Sequence, residues 1–235
     1  MNLRLNRPPL GAEIRGFLAK SFIQDLMEIV PDAKIIFDVG AYKGGVTATF
    51  LNAFPQAKIY SFEPNPVFYA EILANSGNIH RLKAENLAIA DQVGRASFHE
   101  YSQSQTSSLL EMDPGYLKYL SEGFRNCGTI DVATITIDKY CEVEGIPAID
   151  LLKLDIQGNE LRAFRGAANL LEKKAVRAIY CEVIFTPTYV GQGEFHEIQA
   201  FLQGLGYNLF DFYNFSYGQD GKLLFGDAIF LPQTG

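Results

Sequence analysis

Features that would place a chain in a specialised class are scarce in this sequence. Tryptophan is absent, and the three cysteines, Cys127, Cys141 and Cys181, contain no C-x-x-C pair. An odd number of cysteines without paired spacing predicts neither a disulfide framework nor a zinc site. We therefore expect reduced thiols that are partly buried.

Long runs of one residue type are also missing. Nowhere do five Lys or Arg residues stand together, and the formal net charge is −7, so a nucleic-acid partner is not expected. The apolar stretches are too short to span a bilayer, and basic residues interrupt the N-terminus too regularly for a signal peptide. We expect a cytoplasmic protein without a membrane span.

Enough apolar residues are present for a large core, since 48% of the 235 residues are hydrophobic. No linker rich in Pro, Gly or Ser divides the chain, so we expect one main domain over residues 34–235, preceded by a helical extension over residues 1–33. Apolar residues at helical spacing predict a helix over residues 10–30. Its apolar surface is large for a free arm, so we expect it to pack on the domain or to form a homodimer.

Strand and helix patterns alternate along the rest of the chain. Strands are predicted over 35–39, 58–62, 86–89, 150–154 and 175–184, and helices over 46–54, 66–77, 160–173 and 195–206. This alternation predicts a three-layer α/β sandwich with a mostly parallel sheet. Alternating runs over 95–101 and 129–137 predict an antiparallel annex, and Asp220-Gly221 predicts a hairpin near the C-terminus.

A glycine-containing turn, DVGAYKGG (residues 38–45), follows the first predicted strand. Gly40 permits a tight turn that lets the backbone approach a ligand. Tyr42 stands where the second glycine of the dinucleotide pattern G-x-G-x-x-G would be. A pyrophosphate would fit poorly there, so a nicotinamide oxidoreductase is disfavoured and a ligand without phosphates fits better.

An acidic residue, Glu63, ends the second predicted strand. A carboxylate about 20–25 residues beyond the first glycine is placed to accept hydrogen bonds from both ribose hydroxyls of an adenosine ligand. Capping of the helix that begins near Pro66, or pairing with a cation, would also explain Glu63. In combination with the preceding glycine turn, nucleoside binding is the favoured interpretation.

Polar residues also follow the two later strands of the predicted sheet. Asp155 leaves its strand where ligand and substrate should meet, although a turn or N-cap aspartate is an alternative. Glu160 lies in a first helical turn, which favours a carboxylate whatever the function. Glu182 lies in an apolar run, where an acid is costly unless it is paired, hydrated or used. His196 opens the next helix, either as a base or as an ordinary helix-start residue.

The blocks FDVGAYKGG, YSFEPNP, VATITIDKY, IDLLKLDIQGNE and FRGAANLL, in this order, resemble the FkbM family of S-adenosylmethionine-dependent methyltransferases. The resemblance covers residues 35 to about 231. It implies a Rossmann-like fold with a seven-stranded sheet and a reversed last strand. It also implies O-methylation of a hydroxyl on a sugar or a secondary metabolite, so the acceptor would be a small molecule or a glycan.

The same resemblance implies roles for individual residues in the cofactor site. The first block places Gly40, Ala41, Tyr42 and Gly44 around the methionine part of the cofactor, and Asp38 and Asp155 are also expected to bind the cofactor. The second block places Glu63 on the ribose and Pro64 and Asn65 beside the adenine. Asp155 belongs to a K-x-D-x-x-G-x-E block that matches at Lys153, Asp155, Gly158 and Glu160, whereas Gln157 and Asn159 depart from the Glu and Ala of many relatives.

The chemistry then needs little beyond orientation and removal of a proton. The cofactor's sulfonium is an activated methyl donor, so in-line attack depends mainly on the position of the acceptor oxygen. We expect Asp155 to act as the base or to orient the hydroxyl, with Glu182 and His196 in reserve. A divalent cation held by the two carboxylates stays an alternative, although no further ligand pattern supports it.

Residues 102–128 interrupt the alternation of strands and helices, and such insertions commonly cover the acceptor pocket. Tyr116 and Tyr119 would either line that pocket or pack against the annex. A competing hypothesis for the whole chain is a catalytically inactive module that holds the cofactor without transferring the methyl group.

Overall fold

A computed structural model describes residues 21–77, 79–120 and 122–233. The strands in this part of the chain are β1 (Ile35–Val39), β2 (Lys58–Phe62), β3 (Leu82–Glu85), β4 (Ala88–Ile89), β5 (Gly94–Tyr101), β6 (Asn126–Ile135), β7 (Ile149–Leu154), β8 (Val176–Ile184), β9 (Tyr207–Tyr217) and β10 (Leu223–Pro232). The α-helices are α1 (Phe22–Ile29), α2 (Gly45–Ala53), α3 (Pro66–Ser76), α4 (Ile137–Glu144), α5 (Glu160–Arg165), α6 (Ala168–Glu172) and α7 (Phe195–Gly204). Short 3-10 helices cover Ser104–Thr106 and Pro114–Tyr119.

The main sheet has seven strands in the order β3-β2-β1-β7-β8-β10-β9. The first five in this order run parallel, and β10 runs antiparallel to both β8 and β9. The chain leaves β1 toward β2 on one side and reaches β7 on the other, which creates a crevice at the carboxyl ends of these strands. The predicted Rossmann-like, mostly parallel sheet with an antiparallel terminal hairpin is confirmed.

Helices cover both faces of the sheet. Neighbouring residues of a strand point to opposite sides, so adjacent apolar residues pack against different helices. On one face Phe37 packs with Leu152 and with Phe164 of α5. On the other face Ile36 packs with Phe50 of α2 and Leu26 of α1. The result is the three-layer sandwich that the alternation of strands and helices predicted.

Helix α1 is the described end of the helix predicted over residues 10–30, whose first half lies outside the described residues. Leu26 is fully buried, the Phe22 ring stacks on Tyr180 with centroids 4.7 Å apart, and the Tyr213 hydroxyl donates to the Asp25 carboxylate. This part of the helix therefore packs on the chain's own sheet. A homodimer stays a prediction.

The annex is a separate sheet in which β6 pairs antiparallel with β5 and parallel with β4. Its predicted second strand, 129–137, is too long at the carboxyl end. The Thr136 hydroxyl accepts a hydrogen bond from the Lys139 N–H at 3.1 Å and so caps α4, which the sequence did not predict. Thr136 and Ile137 continue the β-branched pattern, and this continuation hid the helix start.

Two further expectations are corrected by the fold. The edge strand β3 was missed because it has only four residues, LKAE, three of which are Lys, Ala and Glu, residue types that are depleted in strands. The single helix predicted over 160–173 is wrong, since α5 ends at Arg165 and α6 starts at Ala168. Between them Gly166 presses against Ala90, whose carbonyl oxygen would lie 2.4 Å from a Cβ at that position.

No helix in the described part of the chain is long and apolar enough to cross a membrane. All three cysteines are free thiols, with Cys127 exposed and the other two buried.

Candidate active site

Predicted site residues follow a single row of paired residues across the main sheet. Val39 pairs with both Phe62 and Leu154, and Leu154 pairs with Cys181. The next residue along the chain in each case is a predicted site residue, namely Gly40, Glu63, Asp155 and Glu182. All four line one cavity of about 670 Å³. This volume is typical of a small-molecule or cofactor site.

The turn after β1 brings backbone against backbone at Gly40. Its φ of +76° is in the left-handed region, and a Cβ would lie 1.9 Å from the carbonyl oxygen of Asp155. The N–H groups of Gly40 and Ala41 both donate to the Phe62 carbonyl at 3.0 Å. Only glycine fits here, and the turn is fixed between the ends of β2 and β7.

Asp38 lies beneath this turn and does not line the cavity. Its buried carboxylate accepts a hydrogen bond from Thr47 and forms an ion pair with Lys153, with 3.0 Å between Oδ1 and Nζ. Lys153 also donates to the Gly40 carbonyl at 2.8 Å and reaches Asp155 Oδ2 at 3.8 Å. Burial alone would lower the pKa of Lys153, but the two carboxylates outweigh burial and raise it. Asp38 therefore acts on the turn through Lys153, and its predicted part in cofactor binding stays a prediction.

Glu63 is buried and faces the cavity at the end of β2. Its carboxylate accepts hydrogen bonds from the backbone N–H of Tyr42 at 2.8 Å and of Asn65 at 2.9 Å. Burial raises the pKa of Glu63 to about 7, against the opposing effects of these N–H groups and of Lys153. The carboxylate is thus oriented by the backbone while its remaining lone pairs are available to hydroxyl donors.

The neighbours of Glu63 differ in where they lie. Pro64 lines the cavity. The Asn65 side chain turns away: its Oδ1 accepts from Val67 N–H at the start of α3, and its Nδ2 donates to Glu100 at 2.7 Å. Gly44, with φ of +83°, precedes α2 and is not among the cavity-lining residues. Asn65 and Gly44 therefore shape the loops and do not face the ligand space.

Asp155 and Glu182 form a linked carboxyl pair. Gln157 Nε2 donates to Asp155 Oδ1 at 2.9 Å and to Glu182 Oε2 at 3.0 Å. The Asp155 side chain is 43% exposed, whereas Glu182 is almost fully buried. Burial, followed by the charges of Asp155, Glu160 and Asp227, raises the pKa of Glu182 well above its usual range. The more open carboxylate of the pair is therefore Asp155.

Comparison with known proteins agrees with this geometry. A model of the methyltransferase FkbM domain matches residues 38–209. The chain belongs to the FkbM methyltransferase family. The cofactor of this family is S-adenosylmethionine, so the cavity at the carboxyl ends of β1 and β2 is its expected binding site.

Three relatives place the FkbM domain among named methyltransferases. The 2-O-methyltransferase NoeI of Sinorhizobium fredii is 31% identical over 163 residues, which is 67% of this chain and 66% of that protein, just under two thirds of its length. The 31-O-demethyl-FK506 methyltransferase FkbM of Streptomyces tacrolimicus is 24% identical over 82% of this chain and 79% of its own. The hexuronic acid methyltransferase AglP of Haloferax volcanii is 24% identical over 71% of each chain.

Residues 102–120 (the covering segment) form part of the cavity wall. Its Ser104–Thr106 turn and its second 3-10 helix, with Tyr116 and Tyr119, line the cavity. Tyr116 is buried and packs in an apolar cluster with Ile184 and Tyr189. The Tyr42 hydroxyl lies 2.9 Å from Ser104 Oγ, and this contact joins the turn after β1 to the covering segment.

His196 is not brought to the site, although the sequence made it a candidate base. Its side chain is 73% exposed and pairs with Glu194 at 3.2 Å on the surface of α7. It does not line the cavity. Its position soon after β8 in the sequence suggested a place near the crevice, but the helix directs the His196 side chain to solvent.

Sequence reasoning did not predict Gln157, Lys153 and Tyr189 as site residues. Lys153 appeared in the K-x-D block, and Gln157 appeared there only as a departure. Tyr189 had no signal, because it follows β8 in a segment without a recognised pattern. Among the described residues no group of three or more His, Cys, Asp or Glu side chains is spaced to hold a metal ion.

Proposed function

We propose that this FkbM domain transfers the methyl group of S-adenosylmethionine to a hydroxyl of a sugar or a secondary metabolite. The observation that carries the proposal is the single cavity that joins Glu63, which follows β2, to Asp155, which follows β7, and to Glu182 in the last third of β8. A carboxylate for nucleoside binding and a carboxylate for proton removal thus lie at the same edge of the sheet, a few strands apart.

The cofactor half of the cavity fits the adenosyl group. The buried Glu63 carboxylate is held by two backbone N–H groups and accepts hydrogen bonds from the ribose hydroxyls. Phe68 and Leu87 supply apolar surface for the adenine ring. The turn at Gly40 keeps backbone, with no side chain, at the wall of the cavity. When bound, the cofactor supplies a methyl group already activated as a sulfonium.

The acceptor half suits a hydroxyl-rich molecule. Tyr116 and Tyr119 of the covering segment and Tyr217 of the terminal hairpin provide ring surface, and Gln105 provides both a donor and an acceptor. Flat apolar rings beside amide groups bind the C–H faces and the hydroxyls of polar small molecules. The names of the relatives, which include a 2-O-methyltransferase and a hexuronic acid methyltransferase, support the same class of acceptor.

Asp155 is the proposed proton acceptor. The acceptor oxygen forms a bond to the methyl carbon as the sulfur–methyl bond breaks, and the hydroxyl proton passes to Asp155. The side chain of Asp155 is open to the cavity, its Oδ1 is held by Gln157, and the Lys153 ammonium lies 3.8 Å from its Oδ2. Glu182 is almost fully buried and is therefore less accessible to an acceptor hydroxyl than Asp155.

A test compares wild type with Asp155→Asn, using labelled S-adenosylmethionine and a panel of neutral sugars, uronic acids and secondary-metabolite alcohols. We expect the variant to bind S-adenosylhomocysteine like wild type in calorimetry and to lose methyl transfer by about 100-fold or more. Asp211→Asn, an exposed aspartate on β9, is the matched control. Transfer at the wild-type rate by Asp155→Asn would place the base elsewhere. Cofactor binding by wild type without transfer to any acceptor would favour the inactive module.

A further inference from the structure

Gln157 makes contacts that join the carboxyl pair to the covering segment. Its two amide hydrogens serve one oxygen each of Asp155 and Glu182, at 2.9 and 3.0 Å. Two carboxylates on neighbouring parallel strands repel each other, and a primary amide between them offsets the repulsion by donating to both. In this orientation of the carboxamide the nitrogen faces the two carboxyl groups and the oxygen faces the Tyr189 hydroxyl.

The other end of the carboxamide is tied to segments that line the cavity. The Tyr189 hydroxyl lies 2.9 Å from Gln157 Oε1 and 2.8 Å from the carbonyl oxygen of Thr106, and it donates to one or the other. Ser108 of the covering segment donates to the Gln157 carbonyl at 2.8 Å. The backbone and the side chain of Gln157 are thus held from different directions.

The local backbone also commits this position to one shape. Gln157 has a φ of +57° and Gly158 a φ of +91°, so two successive residues are left-handed. A Cβ at Gly158 would lie 3.0 Å from the Tyr189 ring. A left-handed conformation at a non-glycine residue costs free energy and persists where the surroundings require it. The contacts of Gln157 with Tyr189 and Ser108 hold it in this conformation.

We propose that Gln157 is a positioning residue for methyl transfer, whose carboxamide sets the arrangement of Asp155 and Glu182 and is itself fixed by Tyr189. This inference rests on the proposed function, because it takes Asp155 as the base. It adds that the base is ordered by the same side chains that line the cavity. An acceptor that packs under the covering segment therefore meets Asp155 in a fixed orientation.

Several charged or titratable groups face Asp155 and Glu182 from the surrounding elements. These groups also influence the pKa values of the two carboxyl groups when Gln157 is changed. They are Lys153 on β7, Glu160 on α5, Tyr180 on β8, Asp227 on β10, Tyr116 in the covering segment, and Tyr189 after β8. Lys153 is the one ammonium in this set. Gln157 is the neutral donor that opposes the rise in the pKa of Glu182.

The test is a carbon-13 NMR titration of glutamate carboxyl groups in the full chain with S-adenosylhomocysteine, with the signal of Glu182 assigned from Glu182→Gln. We expect the pKa of Glu182 to rise by about one pH unit or more in Gln157→Leu, which removes the donor. Gln157→Glu keeps the shape but replaces the donor with a third carboxylate, so it shifts the pKa in the same direction. Tyr189→Phe, which leaves the amide in place but loosens it, gives a smaller rise.

Gln219→Leu, at the rim of the same cavity on the terminal hairpin, is the matched control and should leave the titration unchanged. An unaltered Glu182 titration in both Gln157 variants would overturn the proposal, and Gln157→Glu alone decides if Gln157→Leu does not fold. The titration needs no acceptor, so a failure to find methyl transfer leaves it standing. Once an acceptor is known, the Gln157 variants should lower kcat while the Kd of S-adenosylhomocysteine stays near the wild-type value.

Discussion

The two halves of the cavity are held in different ways. Around the turn after β1, the contacts are made mainly by backbone atoms. Gly40 lies close to the carbonyl of Asp155, and the N–H groups of Tyr42 and Asn65 orient the Glu63 carboxylate. Around the acid pair and the covering segment, side chains meet side chains, as in the contacts of Gln157 with Asp155 and Glu182. The first half therefore depends on backbone conformation, whereas the second half depends on the identity of its side chains.

The largest expected effect is on the half that depends on backbone conformation. Gly40→Ala would place a Cβ 1.9 Å from a carbonyl oxygen at a φ of +76°, so the turn must move or the domain must unfold. We expect the free energy of unfolding to fall by about 3 kcal/mol or more, measured in urea. Gly45→Ala is the control, because a Cβ at the start of α2 meets no atom within 4 Å. Equal stability of the two variants would refute the close approach.

An intermediate effect is expected at Glu63, where the backbone positions a side chain for the ligand. Glu63→Ala should weaken binding of S-adenosylhomocysteine by about 10- to 100-fold in calorimetry, because hydroxyl donors lose their acceptor. Glu71→Ala is the matched control, since Glu71 makes only a surface ion pair with Lys43 and should change the Kd by about twofold or less. An unchanged Kd in Glu63→Ala would remove Glu63 from the cofactor site.

The pH dependence of binding sharpens the same prediction. The pKa of Glu63 is raised to about 7, so in the free protein the carboxyl is ionised above that pH and protonated below it. The ionised form accepts both ribose hydroxyls, and binding of S-adenosylhomocysteine should therefore weaken as the pH falls through about 7. Glu63→Ala should lose this dependence.

The smallest effect concerns the link between the halves, the contact of the Tyr42 hydroxyl with Ser104. Tyr42→Phe keeps the ring against Phe68, whose centroid is 4.6 Å away, and removes one hydrogen bond. We expect S-adenosylhomocysteine to dissociate about two- to fivefold faster in stopped-flow measurements. Ser104→Ala should give the same change, and the double variant no more than either; additive effects would show that the two groups act separately.

The comparison also explains how much the sequence predicted. Gly40, Glu63 and Asp155 each follow a strand directly, so local pattern and the rule for parallel sheets were enough to bring them together. Lys153 shows the limit of that method. A lysine in a strand reads as an exposed residue, whereas here it is 2% exposed between two carboxylates.

Side-chain contacts over long sequence separations were beyond reach. Tyr189 meets Gln157 and the carbonyl of Thr106, which lie 32 and 83 residues away, and nothing in the sequence around it encodes those partners. For Asn65 and His196 the limit is the direction of the side chain. Their positions were predicted near the crevice, but a cap on α3 and the rotation of α7 direct their side chains elsewhere.

The shared row of paired residues in β1, β2, β7 and β8 has a consequence for insertions and deletions. One residue added inside any of these strands would move its functional residue by about 3.3 Å and turn it to the opposite face of the sheet. The same residue added to the covering segment would cost only a small increment of loop entropy. Changes in chain length are therefore confined to the loops that meet the acceptor, and a new acceptor can be accommodated without disturbing the row.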